Sequence, residues 1–412
     1  MPLTNLEENL KTALIKLQRE SRLKGEEKII TGISPAKDGF GPRYLLEGGE
    51  GKEFLRMNSN SYLGLHLHPA VIGTEEEASK EFGAGPGAVR FISGTHAPHI
   101  ELEERLARFH GREAAMIFSA AYAAVMGVLP QLITEETLVV SDALNHNCII
   151  NAIRLSRPAA KAIFQHLHTN ELESILRKNR GKAKRAVVVT DGVFSMRGDH
   201  APLAGIVGIC KEADAHYPEG VITVVDDSHG VGAFGKKGRG TEEMTGAEAD
   251  ILVGTLGKAL GVNGGYVATS RTVIDYLRET APFYIYSNPI TPSEAAAALK
   301  ALQILDSPEG LSLLKKLDGL TRRFREGLKT LGFETIDGEH PVVPLLVRDS
   351  ARTSALVSHL FHAGVLATGL NFPVVPKGDE EIRFQLSAAH TEKDVDFLLN
   401  VLGEFKNSED AD

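Results

Sequence analysis

One lysine among small residues, Lys258 in the stretch 254–261, is the side chain of this 412-residue sequence best suited to covalent chemistry. A lysine amine is protonated and a poor nucleophile near its ordinary pKa of about 10, so a reactive lysine needs desolvation or a neighbouring cation. The apolar run 251–253 comes just before it, and the glycines around it would let a bulky cofactor approach the backbone. We interpret Lys258 as a Schiff-base lysine, with an ordinary turn lysine as the alternative.

Polar clusters directly follow three apolar runs earlier in the chain, and they contain His146, Ser195 and the pair Asp226 and His229. Each cluster alone could be a strand-end turn, since Asp, Ser, Asn and Gly favour turns. Together with Lys258 they suit pyridoxal phosphate, because an aspartate keeps its pyridinium nitrogen protonated, an imidazole stacks on its ring and a lysine binds its aldehyde. The amides of a helix N-terminus would hold the phosphate.

The elements that position these residues are apolar, β-rich runs that alternate with helical stretches between about residues 100 and 290. The runs lie at 115–118, 138–140, 186–189, 221–225, 251–253 and 266–268. Apolar runs without polar alternation are typical of strands covered on both faces. The pattern predicts an α/β protein with a mostly parallel sheet, whose ligand lies beyond the carboxyl ends of the strands. The Gly- and Pro-rich segment 83–87 predicts a loop, either a surface linker or one facing a ligand.

The distribution of apolar and polar residues divides the chain into four regions. An N-terminal arm at 1–56 contains an amphipathic helix from Leu6 to Arg22 and a β-hairpin through Gly48 and Gly49. The further regions are a large cofactor-binding domain at 57–292, a smaller α+β domain at 293–405 and a polar tail at 406–412.

Composition excludes several other classes of protein. Hydrophobic residues at 42% and charged ones at 24% are typical of a soluble globular protein, and the net charge of -9 argues against nucleic acid as a partner. Two cysteines, Cys148 and Cys210, form neither a disulfide scaffold nor a metal-ligand pattern, and we interpret them as reduced structural thiols. No signal sequence and no run of 18 apolar residues is present, which predicts a cytoplasmic protein without membrane contact.

Five segments resemble those of the α-oxoamine synthase family of pyridoxal-phosphate enzymes, and among its branches they are most like glycine C-acetyltransferase (2-amino-3-ketobutyrate CoA ligase). The segments are 141–146, 190–198, 225–235, 254–261 and 372–378. The resemblance implies fold type I, the aspartate aminotransferase-like fold: an arm, a large domain with a mostly parallel central sheet, and a smaller α+β C-terminal domain. It also implies a homodimer with its sites at the interface.

The resemblance assigns five residues to the cofactor ring. His146 matches the histidine that stacks on the ring, and Asp226 matches the carboxylate that faces its nitrogen. His229 matches the histidine that hydrogen-bonds the phenolic oxygen, and Ser195 matches another polar neighbour of the ring. Lys258 matches the lysine that forms the Schiff base and later removes the α-proton of the amino acid.

Further residues are assigned to the phosphate and to the substrate. The implied phosphate ligands are Thr255, the backbone amides of Ala121 and Tyr122, and, across the dimer interface, Ser287 with Asn288. Asn60 and Arg383 resemble the pair that binds the amino-acid carboxylate, and a planar guanidinium suits that geometry. A surface charge on a strand is the alternative for Arg383.

The implied reaction joins a small amino acid to an acyl-CoA, and three departures from the family pattern bear on its substrates. Residues 120–125 replace a polar string near the cofactor, and the loop 261–265 is closer in length to the aminolevulinate and oxononanoate branches. Val89, Arg90 and Phe91 lack the threonine and asparagine that 5-aminolevulinate synthase places around the same arginine to hold a carboxylate. This absence favours a short apolar acyl group, with acetyl favoured. The resemblance to the acetyltransferase branch and the small substituent on the α-carbon of glycine favour glycine as the amino acid.

Other functions stay open at this stage. One is an 8-amino-7-oxononanoate synthase-like or secondary-metabolite α-oxoamine synthase that uses another amino acid or acyl donor. Another is a different fold-type-I enzyme, an aminotransferase or a decarboxylase. A third is a non-catalytic partner subunit, which the presence of Lys258 disfavours because such subunits lose the lysine.

Overall fold

The computed structural model describes residues 3–20, 22–23, 26–372 and 375–409. Within them the helices α1 to α14 are, in chain order, Leu3–Arg19, Pro69–Phe82, Ala97–His110, Ala121–Leu132, Asn147–Leu155, Thr169–Lys178, Leu203–Ala213, Thr241–Thr245, Arg271–Thr280, Pro282–Ile285, Pro292–Leu305, Pro308–Thr330, Ser350–His362 and Glu392–Glu409. The strands β1 to β15 are Ile30–Ser34, Arg43–Leu46, Glu53–Arg56, Ala114–Phe118, Thr137–Asp142, Ala160–Phe164, Arg185–Asp191, Val221–Asp226, Ile251–Thr255, Gly265–Thr269, Glu334–Thr335, Val342–Leu346, Val365–Leu366, Thr368–Leu370 and Glu381–Gln385.

The chain divides into two compact units. One contains Asn60–Asp318 together with Gly338–Pro341. The other contains the described residues up to Ser59, the segment Gly319–Asp337 and the residues from Val342 onward. The first unit carries the predicted Schiff-base lysine, and we call it the large unit.

A seven-stranded sheet in the order β4-β10-β9-β8-β7-β5-β6 forms the centre of the large unit. Strand β10 is antiparallel to both of its neighbours, and the other pairs are parallel. All six apolar runs are strands of this sheet. Strand β6 was not predicted from the sequence, because this edge strand is largely exposed and therefore lacks a continuous apolar run.

The continuous apolar runs are explained by two hydrophobic cores, one on each face of the sheet. Val139 and Val187 point to a core that also contains apolar residues of α4, α5 and α9. Their neighbours Leu138 and Val188 point to a second core, which includes residues of α6 and α7. Side chains alternate between faces along a strand, so a strand with both faces buried must be apolar throughout.

Strands β5, β7, β8 and β9 end on polar residues at one edge of the sheet. These end residues are Asp142, Asp191, Asp226 and Thr255. Asp191 lies directly opposite Asp226 in the register of β7 and β8. The predicted convergence of polar side chains at this edge is thus confirmed.

The other unit contains two four-stranded sheets, ordered β1-β2-β3-β13 and β11-β12-β15-β14. The predicted hairpin is β2 and β3, which pair antiparallel on either side of Gly48 and Gly49. Strand β3 also pairs parallel with β13, so the N-terminal strands share a unit with the C-terminal region. This grouping differs from the predicted succession of an arm and separate domains.

The two terminal helices differ in their bounds from the sequence expectations. Helix α1 begins at Leu3 and ends at Arg19, and none of its side chains is buried. Helix α14 continues to Glu409, whereas the sequence predicts a polar tail from residue 406. No described helix is apolar over a length sufficient to cross a membrane.

Candidate functional site

A cavity of about 290 Å³ opens at the polar edge of the large unit's sheet. Its lining residues are Ala120, Ala121, Tyr122, His146, Cys148, Asp191, Val193, Ser195, Asp226, Ser228, His229, Thr255 and Lys258. This volume is close to the lower end of the range for small-molecule sites. The structure therefore brings together every residue that the sequence analysis assigned to the cofactor ring.

Lys258 lies half-buried in the turn after β9. The turn closes where the amide of Gly261 donates to the carbonyl of Lys258 over 3.0 Å, and Gly261 has a φ of 73, a conformation that favours glycine. A Cβ atom on Gly261 would lie 2.4 Å from the amide nitrogen of His66, and one on Gly254 would lie 2.2 Å from the ring of Tyr266. These two glycines therefore make room for protein atoms, whereas the sequence analysis expected them to make room for a cofactor.

Asp226 ends β8 with its carboxylate inside the cavity, and it is buried. The amide of Ser228 donates to its Oδ1 over 3.1 Å, and the thiol of Cys148 donates to its Oδ2 over 3.5 Å. Two donors on neighbouring elements fix the orientation of this carboxylate. The structure thus gives a role in the site to Cys148, which the sequence analysis treated as a structural thiol.

His146 occupies the N-cap position of α5, where its Nδ1 accepts the amide of Cys148 over 3.3 Å. Its own amide donates to Asp191 Oδ2 over 2.9 Å. Burial lowers the pKa of His146, with Asp226 acting in the opposite direction and Lys258 in the same direction. A neutral ring whose Nδ1 accepts a backbone amide carries its proton on Nε2.

His229 is held by two buried residues from distant parts of the sequence. The hydroxyl of Tyr62 lies 2.7 Å from its Nδ1, and Nε2 of His340 donates to its carbonyl over 2.9 Å. Tyr62 and His340 are both fully buried. Neither residue could be predicted as part of the site, because no local sequence pattern links positions so far apart.

Two further polar groups of the lining suit a bound polar group. Asp191 Oδ1 and Ser228 Oγ are buried, and neither has a hydrogen-bond partner within the described residues. Burial, reinforced by neighbouring Asp226, raises the pKa of Asp191 well above its ordinary value. Buried polar atoms are nearly always paired, so this pair of atoms indicates a site that a ligand completes. The position of Asp191 after an apolar run was the available sequence signal.

The N-terminus of α4 forms the other end of the cavity. No side chain among the described residues caps this helix, and its first residues Ala121 and Tyr122 line the cavity, so its leading amides are available to an anion. Beside it, Thr255 Oγ1 accepts the amide of Gly257 and donates to the carbonyl of Gly264, each over 3.2 Å. A phosphate fits this end, and the carboxylate and imidazoles fit a pyridine ring at the other.

Three predicted site residues do not line the cavity. Ser287 is half-buried, and its hydroxyl donates to the carbonyl of Asn288 over 3.4 Å. Asn60 belongs to the large unit, whereas Arg383 lies on β15 of the other unit. Their predicted roles stay predictions. In the segment 372–378, Pro373 and Val374 lie outside the described residues.

Arg90, to which the sequence analysis compared a carboxylate-binding arginine, is buried and fully engaged. Its Nη1 and Nη2 donate to the two carboxylate oxygens of Glu103, each over 3.1 Å, and its Nε donates to Thr95 Oγ1 over 2.9 Å. Glu103 also accepts Arg278 Nη2 over 2.8 Å. The guanidinium of Arg90 therefore serves the packing of the large unit.

Comparison with known proteins shows extensive similarity. The family described as aminotransferase class I and II matches residues 52–402. The chain is 42% identical to the 8-amino-7-oxononanoate synthase of Geobacter metallireducens over 84% of this chain and 87% of that protein. It is 39% identical to the enzyme of the same name from Thermosipho melanesiensis, over 85% of this chain and 88% of that protein.

A solved structure of serine palmitoyltransferase from S. paucimobilis, with a bound PLP–myriocin aldimine, superposes on this chain with a TM-score of 0.86 at 25% identity. The match covers 98% of both chains. The named sequence relatives favour the oxononanoate branch, which the sequence analysis held as an alternative, over the acetyltransferase branch that it preferred.

Proposed function

The chain belongs to the aminotransferase class I and II family and, within it, to the pyridoxal-phosphate-dependent α-oxoamine synthases of fold type I, and we propose that it condenses alanine with pimeloyl-CoA. The observation that carries the proposal is 42% identity to an 8-amino-7-oxononanoate synthase over 84% of this chain. The cavity supports it, because Lys258, Asp226, His146 and His229 all line one space.

The product in the name of that relative defines the substrates. 8-Amino-7-oxononanoate is a nine-carbon acid with an amine beside a ketone. Bond formation between the α-carbon of alanine and the acyl carbonyl of pimeloyl-CoA, with loss of coenzyme A and of the alanine carboxylate as carbon dioxide, gives this skeleton. Alanine and a dicarboxylic acyl group thus take the place of the glycine and acetyl group that the sequence analysis favoured.

The proposed cofactor contacts follow the geometry of the cavity. Asp226 holds a proton at the ring nitrogen, and His146 covers one face of the ring. His229, held by Tyr62, donates to the phenolic oxygen, while Ser195 is a further polar neighbour of the ring. The leading amides of α4, together with Thr255, bind the phosphate.

Pyridoxal phosphate, when bound, draws electrons away from the α-carbon of the amino acid. Nζ of Lys258 is the base that takes the α-proton. Nε2–H of His146 donates to the thioester oxygen as that oxygen gains charge, because Nδ1 already accepts an amide. Asn60 and Arg383 are the proposed ligands of the amino-acid carboxylate.

A homodimer is part of the proposal. Ser287 and Asn288 do not line the cavity of their own chain. As the family resemblance implies, they would bind the cofactor phosphate of a second copy. Three large apolar side chains support a surface that a second copy covers, because each is exposed in the single chain. They are Phe91, Ile92 and Tyr286, at 64%, 65% and 79% exposure.

Release of coenzyme A thiol tests the proposed function. Purified protein loaded with pyridoxal phosphate is given pimeloyl-, acetyl- or palmitoyl-CoA with alanine, glycine or serine in turn. We expect the highest kcat/KM for alanine with pimeloyl-CoA. Faster release with glycine and acetyl-CoA would restore the acetyltransferase function, and faster release with serine and palmitoyl-CoA would also refute the proposal.

The variant Lys258→Ala tests the base. We expect it to bind pyridoxal phosphate without a covalent link and to lose turnover, because among the described residues no other amine lines the cavity. Lys161→Ala is the matched control, since Lys161 is an exposed lysine on edge strand β6. Turnover of Lys258→Ala near the wild-type rate would contradict the proposed mechanism.

A further inference from the structure

The proposed acyl group ends in a carboxylate, which a cation within reach of the cavity would bind more strongly than a neutral donor. Arg90 is excluded, because its donors are occupied by Glu103 and Thr95. Arg383 is the proposed ligand of the amino-acid carboxylate. The inference below rests on the proposed function and concerns its acyl substrate.

A ladder of polar side chains leads away from the cavity along α5. Tyr122, which lines the cavity, donates its hydroxyl hydrogen to Asn147 Oδ1 over 3.1 Å. Asn151 Nδ2 donates to the same hydroxyl over 2.6 Å and to Asn147 Oδ1 over 2.7 Å. Arg154 Nη1 then donates to Asn151 Oδ1 over 3.2 Å. Positions 147, 151 and 154 lie on one face of α5, so the ladder is a continuous surface.

Arg154 is a cation without a counter-ion among the described residues. It is exposed, and across the described ranges it forms no ion pair. By contrast, Arg112 pairs with Glu242, and Arg278 pairs with Glu103. The single hydrogen bond to Asn151 orients the Arg154 guanidinium and leaves its remaining donors open to an anion.

The distance suits an acyl chain of medium length. Arg154 follows His146 by eight residues, about 12 Å along a helix axis, and helical side chains lean towards the N-terminus. Six bonds separate the thioester carbon of the pimeloyl group from its terminal carboxylate carbon. In an extended chain they span roughly 7 Å, by the geometry of an extended backbone. Ile150 on the same helix is 37% exposed and offers apolar contact to the methylene groups between the two ends.

We propose that Arg154, oriented by Asn151 and Tyr122, binds the terminal carboxylate of the acyl group and selects dicarboxylic over monocarboxylic thioesters. The contact lies far from the reacting carbonyl and is the same in the ground state and the transition state. It therefore acts on the KM of the acyl-CoA with little effect on kcat.

The test compares pimeloyl-CoA with heptanoyl-CoA, which has the same number of acyl carbons and no terminal carboxylate. Thiol release with alanine is measured for the wild type, Arg154→Gln and Arg154→Lys. We expect Arg154→Gln to raise the KM for pimeloyl-CoA about five- to tenfold, as for a partly exposed charge-assisted hydrogen bond, and to leave the KM for heptanoyl-CoA unchanged. Arg154→Lys restores part of the preference, because it keeps the charge.

Arg157→Gln is the matched control, since Arg157 is an exposed arginine just beyond α5 and should leave both KM values unchanged. An equal rise for both thioesters would assign Arg154 to the phosphates of coenzyme A and overturn the proposal. No change in either KM would overturn it as well. If the wild type releases no thiol from alanine and pimeloyl-CoA, the proposed function fails and the inference fails with it.

Discussion

Replacement of Gly265 by alanine should weaken phosphate binding, because the added methyl group would displace the helix N-terminus that holds the phosphate. Gly265 begins β10, and a Cβ atom there would lie 2.2 Å from the amide nitrogen of Ala121 and 2.3 Å from its Cα. Ordinary contacts begin near 3.4 Å, so the N-terminus of α4 must move by roughly 1.2 Å, the difference between 3.4 and 2.2 Å. The atoms in the way are backbone atoms, which cannot rotate aside.

Two effects of Gly265→Ala follow from this displacement. Overpacking should lower the free energy of unfolding by about 1–3 kcal/mol. Misplacing an amide that donates to a charged phosphate costs about 1.5–3 kcal/mol, so the dissociation constant of pyridoxal phosphate should rise at least about tenfold. The dissociation constant of pyridoxal, which lacks the phosphate, should change much less.

Titration of both cofactor forms into the apoprotein, followed by absorbance, measures the two dissociation constants, and urea unfolding of the apoprotein measures stability. Gly208→Ala on α7 is the matched control, because a Cβ there meets nothing within 4 Å. It should raise stability by about 0.5–1 kcal/mol, as alanine favours a helix over glycine, with no effect on the cofactor. If Gly265→Ala keeps the wild-type preference for pyridoxal phosphate over pyridoxal, the phosphate site is not at α4.

Two histidines make the stability of the large unit depend on pH. Burial, with a smaller contribution from neighbouring arginines, lowers the pKa of His110 to about 3. Below about pH 6.5 the unfolded chain binds a proton that the folded chain does not bind. The free energy of unfolding therefore decreases as the pH is lowered, by about 2 kcal/mol at pH 5. His110→Gln should remove that loss in urea unfolding at pH 7.5 and 5, and an unchanged pH dependence would contradict it. Although burial acts in the opposite direction, hydrogen bonds to Asp142 and Asp199 raise the pKa of His166 to about 9. The stability that it contributes is complete below about pH 6.5 and is lost as pH rises through 9, by up to about 3 kcal/mol. In His166→Gln the free energy of unfolding should no longer decrease over that pH range. An equal decrease in the wild type and the variant would refute the assignment.

Much of the site could be predicted from the sequence, because its residues come directly after apolar strands. A buried parallel strand must be apolar along its whole length, and the polar residue that ends the run marks the edge where strand ends meet. Asp226 and Thr255 lie at such ends, and Lys258 follows in the next turn. The prediction therefore needed only local patterns.

The branch of the family could not be predicted from local sequence patterns. The expectation of an apolar acyl group was based on the residues beside Arg90 and assumed that this arginine faces a substrate. The structure shows it buried against Glu103. A residue's type and neighbours do not reveal whether its charge is already paired by a side chain on another element.

The sequence by itself determined the α/β class, six of the seven strands of the central sheet and the lysine, aspartate and histidines that meet in the cavity. Only the tertiary structure decided what holds them: Tyr62 and His340 against His229, and Cys148 between Asp226 and His146. The same holds for the grouping of the N-terminal strands with β13. Periodicity and strand ends are local properties of a chain, whereas a contact between residues distant in sequence exists only once the chain has folded.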